Sequence, residues 1–280
     1  MEKGSQNRFG ADGFNQRGIE LADRGWLEEA VKEFNRAIEL DHRSPFPRIN
    51  RASVYLEQGR LLDALSDLLE AVRLAPDEPA THYHLGVFLS RYGSNLAVAE
   101  LHASLNLDPE QVDALLQLGA TYADRGESSE AEESLRAALE VDGSDPAVNR
   151  ELGVILMERG KIHDAIRHLR AASEQYPLDT EVQVDLGMAY IQAGFYEKAE
   201  ATLTGVLSRD PENLHANYNL AAIYTEWSKN DQALSHLGRA CAVGLTRVRD
   251  WLSDDRMFDK LKADPRFEEI LQVGGPREPG

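Results

Sequence analysis

A glycine returns every 33 or 34 residues along most of this chain. The series consists of Gly25, Gly59, Gly93, Gly126, Gly160 and Gly194, with Ser228 in the next place. Most of these positions are followed five residues later by an alanine: Ala30, Ala64, Ala131, Ala165, Ala199 and Ala233. Repetition at this period is typical of a solenoid, in which each unit buries its apolar face only by packing on its neighbours.

The residues around each glycine predict two antiparallel helices per unit. Apolar side chains recur at three- and four-residue spacing before and after the glycine, which defines one buried stripe on each helix. The glycine ends the first helix in a left-handed conformation, and the small residues lie where the two helices cross. Ser44-Pro45 and Asp145-Pro146 are typical of an N-cap followed by the first helical residue. No segment alternates with period two, so the sequence predicts no sheet.

This pattern resembles the tetratricopeptide repeat family. Seven units begin near these residues: Ala11, Pro45, Pro79, Val112, Pro146, Thr180 and Leu214. The resemblance implies an all-α fold, a right-handed α-solenoid superhelix of helix-turn-helix units. The first two units carry Arg17 and Arg51 where a buried leucine is usual. This resembles a variant in which the arginine stem packs and its head reaches solvent.

The segments outside the repeats differ in composition. Residues 246–272 lose the repeat pattern but keep apolar side chains at helical spacing, among them Trp251, Phe258 and Phe267. This segment resembles the one that closes many bacterial tetratricopeptide proteins, so we expect it to cap the last of the repeats, which span residues 11–245. Residues 1–10 and 273–280 contain Gly or Pro and are expected to be disordered.

Composition narrows the classes of partner. The formal net charge of −18 disfavours nucleic acid and anionic membranes, which both need a basic face. No apolar run approaches the ~20 residues that cross a bilayer, and no apolar stretch near the N-terminus resembles a signal peptide. Cys241 is the single cysteine, which suits a reducing compartment. We therefore expect a cytoplasmic protein whose partner is basic or neutral.

The sequence shows no motif for catalysis, for a cofactor or for a metal. His82 and His84 are two residues apart on a predicted helix, so their side chains point away from each other. Cys241 lies among alanines near the end of a second helix, a setting typical of a buried small hydrophobe rather than a nucleophile. The prediction is a protein that is not an enzyme and has no cofactor.

The resemblance implies that the first helix of each unit lines a concave groove. The residues expected to face it are Asn15, Ile19, Ile49, Asn50, Tyr83, His84, Val87, Leu116, Gln117, Glu151, Val154, Asp185, Met188, Tyr218 and Asn219. Their hydrogen-bonding side chains suit the backbone of an extended peptide, and apolar side chains on a face open to water suggest binding. Two other interpretations stay open: a merely solvated face, and apolar residues that pack between adjacent units.

The function that these features favour is that of a non-catalytic adaptor or scaffold in a multiprotein complex. It would hold a peptide or a helix of another protein in the groove. Acids end five first helices, at Asp23, Glu57, Asp124, Glu158 and Glu226, so the partner is expected to combine basic and apolar residues. The alternative is a structural subunit that forms a homo-oligomer and leaves the groove unused.

Overall fold

The computed structural model describes residues 2–92 and 96–273, with side chains for residues 10–92 and 96–272. Gly93 of the glycine series and the predicted disordered tail after Val273 lie outside the described residues. Every regular element within the described ranges is helical. The α-helices are α1 (Glu2–Asp23), α2 (Leu27–Leu40), α3 (Phe46–Glu57), α4 (Leu61–Leu74), α5 (Pro79–Arg91), α6 (Leu96–Leu107), α7 (Val112–Asp124), α8 (Ser128–Val141), α9 (Pro146–Glu158), α10 (Ile162–Gln175), α11 (Thr180–Gln192), α12 (Tyr196–Leu207), α13 (Leu214–Glu226), α14 (Asn230–Asp254) and α15 (Pro265–Val273).

The helices belong to two compact units, residues 1–142 and residues 143–280. Unit 1 contains α1–α8 as four helix pairs, and unit 2 contains α9–α14 as three pairs followed by a C-terminal segment. Within a unit, each first helix contacts its own second helix, and each second helix contacts the first helix of the next pair. The predicted all-α solenoid of helix pairs is confirmed.

The small residues lie at the helix crossings. Ala131 and Ala165 are fully buried, as are Leu135 and Leu169 four residues further along the same helices. A Cβ atom added to Gly153 of α9 would lie 2.6 Å from Cγ of Leu169 on α10, far inside van der Waals contact. Glycine is therefore required at this crossing because the leucine side chain occupies the space of a methyl group.

The turn inside a pair needs a left-handed residue, as the six pairs whose turns the structure describes show. Gly160, between α9 and α10, has φ of 72°, and Ser228 between α13 and α14 has φ of 57°. Glycine adopts this conformation without strain, whereas a serine brings its Cβ close to a backbone oxygen. The last pair therefore makes the same turn with a strained residue.

In five first helices, the third or fourth residue binds the preceding loop. In each case a side-chain nitrogen lies within hydrogen-bond distance of the backbone oxygen six residues earlier. The pairs are Arg48 with His42, His82 with Pro76, Asn149 with Gly143, Gln183 with Pro177 and Asn217 with Pro211, at 3.0–3.4 Å. These bonds hold the loop between pairs against the helix that follows it, and they satisfy carbonyl groups that helix geometry leaves unpaired.

Side-chain caps start three first helices of unit 2. Asp145, Asp179 and Asn213 accept hydrogen bonds from the backbone N–H groups of Val148, Val182 and Ala216. The corresponding prediction for Ser44 in unit 1 is wrong. Pro45 occupies the N-cap position of α3 and offers no side-chain acceptor.

Arg51 does not extend its head into solvent, so the prediction for this residue is wrong. Its guanidinium donates from Nε and Nη2 to the two carboxylate oxygens of Asp67 on α4, at 2.7 and 2.6 Å, and also contacts Asn35 on α2. It lies 5.6 Å from the Tyr55 ring centroid. Arg51 thus connects α2, α3 and α4 through a two-pronged charged hydrogen bond.

The chain turns at Gly244, whose φ of −154° and ψ of 66° interrupt α14. The residues beyond it fold back onto α13 and α14 through 3₁₀ turns at Arg256–Phe258 and Leu261–Ala263, and then α15. Val248, Phe258 and Leu261 are completely buried there. At the other end of the chain, α1 begins at Glu2, so residues 2–10 are helical although the sequence suggested disorder.

Candidate functional site

The residues expected in the groove lie on the first helices, and most of their side chains are half-buried. Ile49 and Tyr218 differ from the rest, since they are only 3% and 7% exposed. Ile49 therefore packs between helices, which was the competing interpretation for the apolar members. We use "first-helix face" below for the surface of α1, α3, α5 and α7 in unit 1 and, separately, of α9, α11 and α13 in unit 2.

In unit 1 the first-helix face combines amides with an aromatic pair. Asn50 donates from Nδ2 to Oδ1 of Asn15 on the neighbouring first helix, at 2.9 Å. Tyr83 and His84 contact edge to face, with ring centroids 5.1 Å apart. Burial raises the pKa of Tyr83 and lowers that of His84, so both rings are uncharged at neutral pH.

The rest of this face in unit 1 is a mixture of apolar and amide groups. Ile19, Val87 and Leu116 are half-buried aliphatic side chains. Gln117 donates to Oγ of Ser90 at 3.4 Å, and Ser90 in turn shares a 2.8 Å hydrogen bond with Thr121. The face can therefore offer apolar contact and amide hydrogen bonds, with few charges.

In unit 2 the face carries an ion-pair network. Arg150 on α9 donates from Nε to Asp185 of α11 at 2.7 Å and from Nη1 to Glu181 at 2.8 Å; it is also 3.8 Å from Glu151. Burial raises the pKa of Asp185, and the Arg150 guanidinium opposes that shift. Asp185, one of the residues expected in the groove, is therefore paired with an arginine of the neighbouring first helix. Val154, half-buried on α9, belongs to the same face.

At the last first helix the C-terminal segment builds an open cavity of about 520 Å³. Its walls come from α11, α13 and the second half of α14: Met188, His215, Tyr218, Asn219, Asp250, Trp251, Asp254 and Asp255. We call this cavity the tail pocket. Three residues predicted to bind a partner line it, and the rest come mainly from the segment that the sequence predicts to cap the last repeat, with a docking peptide for another protein as the alternative.

Aromatic contacts shape the wall of the tail pocket. The Trp251 ring lies 4.9 Å from His215 and 5.0 Å from Tyr218, and Phe258 contacts the far side of Tyr218 at 5.1 Å, all between ring centroids. Such contacts add rigidity beyond the burial of area. The tail thus covers Tyr218, which explains why this residue is buried rather than open on the face.

Asp255 is held in place by two hydrogen bonds. Tyr218 donates its hydroxyl to Oδ2 at 3.0 Å, and the backbone N–H of Met257 donates to Oδ1 at 2.9 Å. Burial raises the pKa of Tyr218, and the charge of Asp255 adds to the shift. The hydroxyl therefore stays protonated, as a donor, at neutral pH.

The sequence gives only a partial signal for the missed part of this site: Asp250, Asp254 and Asp255 lie within four residues of Trp251. Asp255 lies just beyond the end of α14, so helical spacing does not predict that these carboxylates meet at one cavity. The carboxylates that end the first helices are different: Asp23, Glu57, Asp124 and Glu158 are exposed, and Glu226 pairs with Lys260 at 3.1 Å.

The groups considered for chemistry occupy ordinary structural settings. His82 contacts Glu100 at 2.7 Å, and burial raises the pKa of Cys241 to about 11, which keeps the thiol protonated. In the described residues, His, Cys, Asp and Glu side chains do not gather in threes that could hold a metal ion. No helix in the same ranges has the length and apolar character that crossing a membrane requires.

Comparison with known proteins identifies the class of these helix pairs. Models of the tetratricopeptide repeat match residues 15–79, 49–91, 116–180 and 184–242, and a second such model matches residues 156–211. The matches cover well over half of the chain. The protein therefore belongs to the tetratricopeptide repeat family, whose members are in general non-catalytic scaffolds for protein–protein interaction.

Individual relatives share the repeats but not the whole chain. The TPR repeat-containing thioredoxin TTL4 of Arabidopsis thaliana is 37% identical over 70 residues, which is 25% of this chain and 10% of that protein. The structure of pilF from Pseudomonas aeruginosa matches with a TM-score of 0.68 at 18% identity, over 75% of this chain and 96% of that one.

A tetratricopeptide repeat protein from Parabacteroides merdae gives a TM-score of 0.62 at 17% identity, with 90% of this chain and 98% of that chain covered. At such identities the structural matches show the fold alone. The sequence match spans a small part of the curated relative, so it shows the repeat and nothing of that protein's activity.

Proposed function

We propose that this chain is a non-catalytic adaptor that binds a segment of a partner protein, extended or helical, on its first-helix face. The observation that carries the proposal is the tail pocket, where Met188 and Trp251 present apolar surface around an open cavity on that face. Apolar surface that stays accessible in a folded protein is typical of a binding site. In unit 1, Tyr83 and Leu116 supply similar surface beside amide groups.

The partner segment would be recognised through two kinds of contact, hydrogen bonds to its backbone and apolar contacts with its side chains. Half-buried amides such as Asn50 and Gln117 can bond to its backbone, and the apolar side chains can receive large apolar anchors, which provide most of the affinity at interfaces. The formal net charge of −18 favours basic partners by accelerating encounter more than by adding affinity. We further propose a cytoplasmic location, which suits a chain with a single buried thiol.

The test uses a peptide selected by phage display against the wild-type protein. Its dissociation constant is then measured by biolayer interferometry for Tyr83→Ala and Met188→Ala. We expect at least one of these variants to weaken binding by about tenfold, because truncating an anchor in an interface costs more than ~1 kcal/mol.

Tyr176→Ala is the matched control, since Tyr176 follows a second helix and is 56% exposed. It should change the dissociation constant by less than about twofold. Two results together would overturn the proposal. Both first-helix variants would bind the peptide fully, and replacing exposed residues of the second helices, such as Glu133, by lysine would abolish binding.

A second candidate function rests on a different observation. Leu62 and Leu69 on α4 are 83% and 53% exposed, and Leu96 on α6 is 62% exposed. Exposed leucines on second helices suit self-association through that side of unit 1, with the first-helix face unused. Light scattering coupled to size exclusion tests this candidate: an oligomer that dissociates in Leu62→Ser/Leu69→Ser but persists in Met188→Ala supports it, and a wild-type monomer rejects it.

A further inference from the structure

The tail pocket is large enough to admit a long side chain of a partner. Its volume of about 520 Å³ lies within the usual range of ligand pockets, and it is open on one side. Met188 and Trp251 present apolar surface that a methylene stem can cover. The charges around the pocket then determine which polar head group a bound side chain can carry.

The charges around the pocket are negative. Asp250 and Asp254 lie one turn apart on α14, and neither makes an ion pair with the residues that the structure describes. Asp255 accepts bonds from a neutral hydroxyl and a backbone N–H, which orient its carboxylate without neutralising it. Three carboxylates thus surround one cavity, and two of them have no counter-charge.

The positive groups nearby do not compensate for these acids. Partial shielding from water lowers the pKa of His215, and the charge of Arg247 lowers it further, so the His215 ring is neutral at pH 7. Arg247 is exposed and makes no ion pair with the three carboxylates. Arg150 is already engaged by Asp185 and Glu181.

The aromatic wall adds a second attraction for a cation. Trp251 and Tyr218 contact at an interplanar angle of 69°, so their rings present differently oriented surfaces beside the carboxylates. A guanidinium or ammonium group gains from the electron-rich face of tryptophan as well as from the acids. A carboxylate would be repelled by the acids, and a purely apolar side chain would leave the charges unpaired.

We propose that the tail pocket binds a lysine or arginine side chain of the partner segment, with the stem against Met188 and Trp251 and the cation between Asp250, Asp254 and Asp255. This inference rests on the proposed function, since it names the partner chemistry at one end of the first-helix face. The C-terminal segment is then part of the binding site as well as a cover for α13. The firmly held Asp255 provides a preorganised acceptor.

The test needs no knowledge of the partner. The probe is N-acetyl-arginine amide, and the matched neutral probe is N-acetyl-citrulline amide, which has the same shape without the charge. Both are titrated to about 10 mM at constant ionic strength, a range suited to weak single-group binding. The readouts are the NMR signals of the Trp251 indole N–H and the Met188 methyl group.

The arginine probe should shift both signals with saturation, and citrulline should not. The double variant Asp250→Asn/Asp254→Asn should raise the dissociation constant of the arginine probe at least fivefold. Both residues are exposed, so their replacement leaves the core intact. The control variant Glu197→Gln on α12 removes a charge from an exposed site away from the pocket. It should leave the dissociation constant of the arginine probe within twofold of the wild-type value. Circular dichroism checks that each variant keeps its helix content.

Two outcomes overturn the inference: no saturable shift with arginine, or equal shifts with arginine and citrulline that the double variant leaves unchanged. Neither outcome decides the proposed function. If the selected peptide still depends on Tyr83 or Met188 while the arginine probe fails, the first-helix face binds partners without a cation site. If the probe succeeds, both of those variants bind the peptide fully and replacement of Glu133 by lysine abolishes peptide binding, the proposed function fails and the pocket is a separate site.

Discussion

Ser228 occupies the left-handed turn position that glycine holds in the other described pairs. It has φ of 57° at a turn where Gly160 has φ of 72°. A residue with a Cβ atom loses roughly 1–2 kcal/mol in the left-handed region, and part of that is returned by its lower entropy in the unfolded chain.

Ser228→Gly should therefore raise the free energy of unfolding by about 0.5–1 kcal/mol, measured by urea denaturation. The reciprocal variant, Gly160→Ser, should lower it by a similar amount. A destabilised Ser228→Gly protein would show that the serine side chain makes a compensating contact in the folded state.

Substitution of Gly153 tests how tightly the two helices of a pair pack at their crossing. A Cβ atom there would lie 2.6 Å from Leu169, so Gly153→Ala forces the leucine or the helix to move, at a cost of about 1–3 kcal/mol. Gly238 on α14 is the matched control, since a Cβ there meets nothing within 4 Å.

Gly238→Ala should instead stabilise the protein by about 0.5–1 kcal/mol through helix propensity. Thermal or urea denaturation of the pair separates the two effects. Equal changes in both variants would mean that the crossing at Gly153 can relax without loss.

At the scale of elements, the C-terminal segment bears on both the stability of α13 and the proposed binding site. Phe258 is fully buried and contacts Tyr218, whose hydroxyl holds Asp255. The segment thus links the cover of α13 to the geometry of the tail pocket.

Phe258→Ala should lower the free energy of unfolding by about 3 kcal/mol, since large-to-small changes in a core remove burial and leave a cavity. Tyr176→Ala, which removes a 56% exposed aromatic ring, should change it by less than about 0.5 kcal/mol. Urea denaturation measures both, and similar values for the two variants would show that the segment is not a stabilising cover.

For the whole chain, the pKa shifts of buried histidines predict how stability depends on pH. Burial lowers the pKa of His84 in unit 1 and of His236 in unit 2, where Nδ1 of His236 bonds to Oδ1 of Asn217 at 2.9 Å. In the unfolded chain these rings titrate near their ordinary pKa of about 6.5, so the unfolded state takes up protons first as the pH falls.

The stabilising contribution of both histidines is complete above about pH 7 and declines as the pH falls through 6.5. The free energy of unfolding should therefore decrease between about pH 7 and pH 5.5, and His236→Asn should reduce that slope. Asp185 acts in the opposite direction because burial raises its pKa. Equal or greater stability at about pH 5.5 in urea denaturation would contradict the prediction.

The helical content and the repeat could be predicted from the sequence because they follow from local spacing. The glycine every 33 or 34 residues indicates the turn inside a pair, and the alanine five residues later indicates the helix crossing. The turn and the crossing both depend on a short stretch of chain, so the sequence pattern predicts them. The all-α fold and the family were predicted on these grounds and are confirmed. The capping role of the C-terminal segment stays a prediction.

The tertiary structure alone decided which charges are free and which side chains meet. Arg150 binds Asp185 from 35 residues away, Arg51 binds Asp67 on another helix, and Tyr218 is covered by a segment that returns after Gly244. Periodicity assigns a residue to a face of its own helix but carries no information about partners from other helices. The groove residues therefore could be placed on the correct helices, while the tail pocket, built from α11, α13 and α14 together, could not be found, because it exists only once the chain has folded back on itself.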